Sequence, residues 1–172
     1  NTDHFLNFPD FRAHEKAFQV LTQVAGRSGR SGQRGKVFLQ TYQPEHPIIQ
    51  NVIKNDYDKM YNNQLIERKD YNYPPFVRLI KITLKDKSYE KLNSSCDWLN
   101  KVIRDNFKGT VLGPVYPEVS RIKNNYHKEF LIKLSGLSEL NNFRNKFQSI
   151  TKSFDSISKY RSVRIIVDVD PI

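Results

Sequence analysis

Apolar positions along the chain switch between helical and strand spacing, and the switches divide it. Ala13, Ala17, Leu21 and Val24 recur three or four residues apart, which predicts a helix. Asp10, just after Pro9, is placed to cap its start. Lys36 to Tyr42, rich in β-branched and aromatic residues, predicts a strand. Pro47 opens a short helix through Ile53, and a second helix sets Tyr57, Met60, Tyr61 and Leu65 on one face as candidate core. Tyr73-Pro74-Pro75-Phe76 then stops any helix and forces extended backbone, marking a domain boundary.

Beyond that boundary the pattern alternates. Ile80, Ile82 and Leu84 interleave with Lys81, Thr83 and Lys85, a half-buried strand. A helix over 88–107 carries Leu92, Cys96, Leu99 and Ile103 on one face and ends at Gly109. Strands follow over 110–115 and 126–134, the second with Phe130, Ile132 and Leu134 facing one way. Leu140, Phe143, Phe147, Ile150 and Phe154 stripe a long helix, and Val163, Ile165, Val167 and Val169 alternate along a last strand. The order β-α-β-β-α-β predicts an α+β fold for residues 72–172, a split βαβ sandwich with two helices on one face of a four-stranded sheet. Residues 1–71 form a separate, smaller unit.

Charge sharpens the division. Of the formal +10, residues 1–71 carry +2 and residues 72–172 carry +8, which directs a polyanionic partner to the second half. A solvated lysine-rich surface is the plainer reading of the same excess. The one cysteine, Cys96, falls in register with the apolar face of its helix, so a buried structural thiol is expected and a Cys-cluster zinc site is excluded. No apolar run reaches membrane-spanning length and no signal peptide is recognised, so a reducing, cytoplasmic setting without a membrane partner is expected.

Two stretches carry candidate chemistry. Gln23-Val24-Ala25-Gly26-Arg27-Ser28-Gly29-Arg30 packs two arginines and two glycines into five residues at the end of the first helix. A guanidinium forks onto phosphate oxygens, and glycine lets the backbone approach a ligand. A basic turn closing a helix is the structural alternative. Gly35-Lys36 is no P-loop, because Val37 stands where Ser or Thr is needed and Arg30 takes the first glycine position. The second stretch is Arg121 to Lys128, where Arg121, Lys123 and Lys128 surround Tyr126. Charge there can hold a nucleic-acid backbone while the ring stacks a base, although an ordinary polar hairpin has the same composition. His4, His14, His46 and His127 are scattered without metal-ligand spacing. Asp168 and Asp170 point the same way along a strand, and a structural role is expected for both.

The string Gln-x-x-Gly-Arg-x-Gly-Arg resembles the last motif of superfamily-two helicases. Pro9-Asp10-Phe11-Arg12-Ala13-His14-Glu15, Gln40-Thr41-Tyr42-Gln43-Pro44-Glu45-His46-Pro47, Tyr73-Pro74-Pro75-Phe76, Leu112-Gly113-Pro114 and Asp168-Val169-Asp170-Pro171-Ile172 narrow the resemblance to the primosomal protein N′ family, the bacterial replication-restart DNA helicases. It runs from end to end and implies a C-terminal fragment: residues 1–71 as the truncated second, RecA-like motor lobe, and residues 72–172 as a DNA- and partner-binding domain. By resemblance, Arg27 and Arg30 are the catalytic arginine fingers on the γ-phosphate of ATP, with Gln23, Gly26 and Gly29 at the nucleotide. The resemblance also implies ATP and magnesium for the parent protein, and zinc held by cysteines outside this chain. Its implied partners are forked and single-stranded DNA, single-stranded DNA-binding protein and other primosome proteins. ATP-driven 3′-to-5′ unwinding belongs to the parent, and the fragment alone is expected to be inactive. In the family the hairpin at 121–128 is richer in arginine and glycine, and Asn124 and Asn125 depart from that pattern. The resemblance also implies a docking platform for the acidic tail of single-stranded DNA-binding protein, partly through basic residues of this domain, and no residue around 135–142 is assigned to it. A free-standing nucleic-acid-binding module and a different superfamily-two RNA or DNA helicase are the alternatives.

Overall fold

The computed structural model describes residues 2–28 and 35–171. They fall into two compact units, Asn1–Tyr71 and Asn72–Ile172. The first is helical: α1 (Asp3–Leu6), α2 (Ala13–Arg27), α3 (Pro47–Lys54) and α4 (Tyr57–Asp70). Ala17, Phe18 and Leu21 of α2 pack with Ile48, Ile49 and Val52 of α3 and with Met60 of α4. Pro47 sits in the first turn of α3, where its missing N–H costs nothing. Asn55 then ends α3 in the left-handed region at φ 53°, and the Asp56 carboxylate caps α4 by accepting from Lys59 N at 3.0 Å.

Three expectations for this unit are corrected. Asp10 does not cap α2; it lies outside the helix, and its carboxylate accepts from Arg12 N at 2.9 Å and from Lys16 Nζ at 2.6 Å. Of the four residues proposed as the core face of α4, only Met60 is fully buried. Tyr57 and Tyr61 are exposed and stack on each other, while Gln64 is buried. Residues 36–42 form no strand among the described residues. A strand needs a ladder partner, and this segment is held instead by point contacts. Gln40 O accepts from Thr2 N at 3.1 Å, and the buried Asp3 carboxylate accepts from Thr41 Oγ1 at 2.5 Å and Tyr42 N at 3.1 Å. Phe38 and Tyr42 are left 89% and 87% exposed, the signature of a β-prone segment with no sheet beside it.

The second unit is α+β. Its antiparallel sheet has the strand order β2-β4-β1-β5, from β1 (Arg78–Asp86), β2 (Thr110–Val115), β4 (Asn125–Leu134) and β5 (Arg164–Val169). A two-residue strand, β3 (Arg121–Ile122), pairs with the start of β4. Helix α5 (Tyr89–Asn106) lies over β1, β4 and β2, and α6 (Leu137–Ser156) packs beside it. The core joins Ile80, Ile82 and Leu84 to Phe130 and Ile132 beneath Leu92, Cys96, Leu99 and Ile103, with Phe143, Phe147, Ile150 and Phe154 from α6. Burial pushes the Cys96 thiol up to about 12, so it stays protonated and inert.

The strand pattern is corrected at two places. β1 is more than half buried: Leu79 and Thr83 on its second face are also covered, because β1 has a neighbour on each side. Val167 and Val169 are exposed although they alternate correctly, because β5 is an edge strand beyond the part of the sheet that α5 covers. Asp170 proves to be a clamp. Its N–H donates to Leu79 O at 2.7 Å, Oδ1 accepts from Leu79 N at 3.0 Å, and Oδ2 pairs with Arg78.

The His46 imidazole caps α3 by accepting from Ile48 N through Nδ1 at 3.2 Å, which requires the neutral ring. Burial, then the nearby His14, hold its pKa below 6.5, with Glu67 opposing. The unfolded chain therefore binds the proton more readily than the folded one. This contribution is complete above pH 6.5 and is lost as pH falls below it. A cap is worth about 1 kcal/mol, or roughly 4–8 °C in the melting of a unit the size of Asn1–Tyr71. His46→Asn should keep the cap while reducing the loss of melting temperature between pH 7 and pH 5 by that amount. An unchanged pH dependence would show that His46 is not the titrating cap.

Candidate nucleic-acid interface

The last two turns of α2 carry the described part of the glycine-arginine motif. Gln23 and Arg27 are one helical turn apart, with Gly26 between them, and all three are exposed. Arg27 at this end also suits the negative pole of the helix dipole. A Cβ built on Gly26 would meet nothing within 4 Å among the described residues, so packing within this unit does not require a glycine there. Gly29 and Arg30 lie outside the described residues. Among the described residues no group of three or more His, Cys, Asp or Glu gathers to hold a metal.

The second stretch folds into a two-residue hairpin. Arg121 pairs with Tyr126 and Ile122 with Asn125, leaving Lys123 and Asn124 as the turn. Both turn residues have positive φ, 47° and 62°, as a type I′ turn demands. Asn124 tolerates this conformation, so asparagine replaces glycine here without loss of the turn. Lys123 has no such tolerance and bears a strain of about 1–2 kcal/mol. The Arg121 side chain donates to Asn124 Oδ1 across the turn, and its guanidinium lies 4.9 Å from the Tyr126 ring centre. Arg121 and Lys123 are exposed, and Tyr126 and Lys128 are half-buried. The structure therefore brings all four predicted residues onto one hairpin.

It also adds two aromatic residues that periodicity did not single out. Tyr89, at the start of α5, stacks parallel to Tyr116 with ring centres 5.9 Å apart and meets Tyr126 edge-on at 5.5 Å. Lys128 Nζ lies 4.8 Å from the Tyr116 ring centre, and the Tyr116 hydroxyl donates to Asn93 Oδ1 at 2.8 Å. Burial pushes that hydroxyl up to about 12, so it remains a neutral donor at physiological pH. Three tyrosines from three separate stretches thus meet two cations at one corner, a combination suited to bases and phosphates together. The sequence offered no signal for them: Tyr89 continues the apolar spacing of α5 one turn before Leu92, and Tyr116 stands in a proline-punctuated loop.

Gly26→Ala provides a check on the glycine. With open space and helical backbone, alanine should raise stability by about 0.4–1 kcal/mol, seen as a higher melting temperature. A loss of stability would mean that the chain's own packing requires the glycine.

The family model described as the primosomal protein N C-terminal domain matches residues 69–172. The chain is 34% identical over 172 residues to the replication restart protein PriA of Chlamydia muridarum, covering 99% of this chain and 22% of that protein. Against the PriA proteins of Bacillus subtilis and Thermotoga maritima the identities are 31% over 173 residues and 28% over 171 residues, each covering 99% of this chain and 21% of the relative. The chain therefore spans about a fifth of the length of these relatives. The match extends over α5, the tyrosine corner and the hairpin, and on that ground the chain belongs to the primosomal protein N C-terminal domain family.

Proposed function

We propose that this chain is the C-terminal part of a replication-restart helicase, and that its second unit binds DNA through the hairpin and tyrosine corner. The single observation that carries the reading is the convergence of Arg121, Lys128, Tyr89, Tyr116 and Tyr126 at one corner of a unit with formal charge +8, in a chain similar along its length to replication restart proteins. The strand order and two covering helices support a split βαβ sandwich for this unit. Single-stranded and forked DNA are the proposed ligands. Single-stranded DNA-binding protein and other primosome proteins are the proposed partners. The working compartment is the cytoplasm, and no helix is long and apolar enough to cross a membrane among the described residues.

In the same reading the first unit is the end of a motor lobe. Gln23, Gly26 and Arg27 fit a nucleotide face in that they are exposed together and the glycine is not used in packing. Arg27 and Arg30 would supply positive charge to the transferred phosphoryl group of ATP bound with magnesium, and Gly29 the close backbone approach. The phosphate-cradling loop and the magnesium carboxylates belong to the rest of the parent protein, as does its zinc. The chain alone therefore does not hydrolyse ATP.

Binding is tested with a fluorescent oligothymidylate and the whole chain. Tyr89→Ala, at an exposed position, should weaken binding by about 1–3 kcal/mol while the melting temperature holds. Equal affinity in the variant would remove the tyrosine corner from the interface. For the motor half, Arg30→Ala in the full-length protein should lower DNA-stimulated kcat by about a thousandfold with KM little changed, and lysine should rescue poorly. Near-normal kcat would transfer the role to Arg27.

A further inference from the structure

Beside the tyrosine corner lies a cleft of 550 Å³ that shares only Asn125 with the two sequence motifs. It is lined by Lys85 and Lys87 at the end of β1, Lys91 in the first turn of α5, Arg164 at the start of β5, and Asn125 just after the hairpin turn. Sheet register assembles it: Lys85 stands opposite His127 of β4 on one side and Arg164 of β5 on the other. Four cations from three elements therefore converge on one concavity. Among the described residues none of the four is in an ion pair. Lys91 Nζ donates to Ser162 Oγ at 3.3 Å, which ties its head group to the rim.

The one acid in the lining is already committed. Asp86 is buried, and its Oδ1 accepts from Ser88 N at 2.7 Å, completing the entry into α5. Ser88 Oγ in turn accepts from Lys91 N at 3.3 Å. The side-chain cations, rather than free helix amides, thus set the potential of the cleft. Asp86 offsets one of the four cations, and the remaining excess of positive charge in one concavity costs self-repulsion, which a bound polyanion relieves.

We propose that this cleft holds the phosphodiester backbone of a nucleic-acid strand, continuing the path that begins at the hairpin. The inference rests on the DNA-binding reading of the second unit and adds where the strand runs. Asn125 belongs to both features, and Tyr126, one residue on, faces Asp86 across the ladder. A strand whose bases reach the tyrosines therefore passes its neighbouring phosphates over Lys85, Lys87, Lys91 and Arg164. The lining has no aromatic ring, so the cleft grips the backbone without regard to base.

The experiment measures oligothymidylate affinity of the whole chain against salt, using the triple variant Lys87→Gln, Lys91→Gln, Arg164→Gln. Each phosphate contact contributes about 0.7 to the slope of log K against log salt for single strands, so the slope should fall by about 2. Tyr89→Ala should weaken binding with the slope retained. A control triple, Lys101→Gln, Arg144→Gln, Lys152→Gln, removes equal charge from exposed positions outside the cleft and should leave the slope near wild type. Melting curves confirm that each variant is folded. An unchanged slope in the cleft triple, with wild type binding normally, overturns the cleft and leaves the tyrosine corner standing. The same slope loss in the control triple also overturns it, since net charge would then suffice. Failure of wild type to bind DNA overturns both readings. An acidic peptide that binds wild type, loses affinity in the cleft triple and outcompetes the oligonucleotide would make the cleft a protein-docking site instead.

Discussion

β1 is the constraint on which the second unit depends. It pairs with β4 along its whole length and with β5 through six residues, so without it the sheet separates into β4 with β2 and β3, and a lone β5. Its Ile80, Ile82 and Leu84 form the floor on which α5 packs, and each of the three is at most 1% exposed. The second face is secured differently: Lys81 Nζ pairs with Glu129 Oε1 at 2.9 Å, and the Asp170 clamp fixes the strand's start through Leu79. Hydrophobic burial on one face and directional polar contacts on the other leave one register available, since a slip by one residue would turn Ile80, Ile82 and Leu84 away from α5.

That register also places the chemistry. Asp86, the last residue of β1, stands opposite Tyr126, so the end of the central strand and the root of the hairpin are one structural point. The chain then turns through Asp86 and Ser88 into α5, which brings Tyr89 against Tyr116 and Tyr126. Functional side chains are thus carried at strand ends and turns while the rigid strand fixes their spacing. The strained Lys123 fits the same division: the turn bears a local conformational cost that the ladder behind it can hold.

The first unit is organised by helix packing and by polar anchoring. Ala17 and Met60 are fully buried and let α2 approach α3 and α4 closely. Asp3 takes the place of a strand neighbour for residues 41 and 42, giving their polar groups a partner without a ladder. The exposed end of α2 is therefore delivered by a well-packed helix, while Phe38 and Tyr42 of residues 36–42 have little cover.

Local periodicity specifies the elements whose period is strong and whose burial is one-sided: Leu92, Cys96, Leu99 and Ile103 on α5, the phenylalanine stripe of α6, and the alternation of Ile80, Ile82 and Leu84. In these the local pattern and the core ask for the same thing, so periodicity suffices. The hairpin residues were also legible, because charge interleaved with an aromatic is a local feature. Where the outcome depended on neighbours distant in sequence, local pattern failed. Residues 36–42 have strand composition and no partner, Val167 and Val169 alternate on an edge that no helix covers, and α4 buries Gln64 while exposing Tyr57 and Tyr61. The tyrosine corner and the basic cleft were invisible for the same reason. Tyr89, Tyr116 and Tyr126, like Lys85, Lys91 and Arg164, lie on separate segments, and only the pairing of β1 with β4 and β5 brings them together.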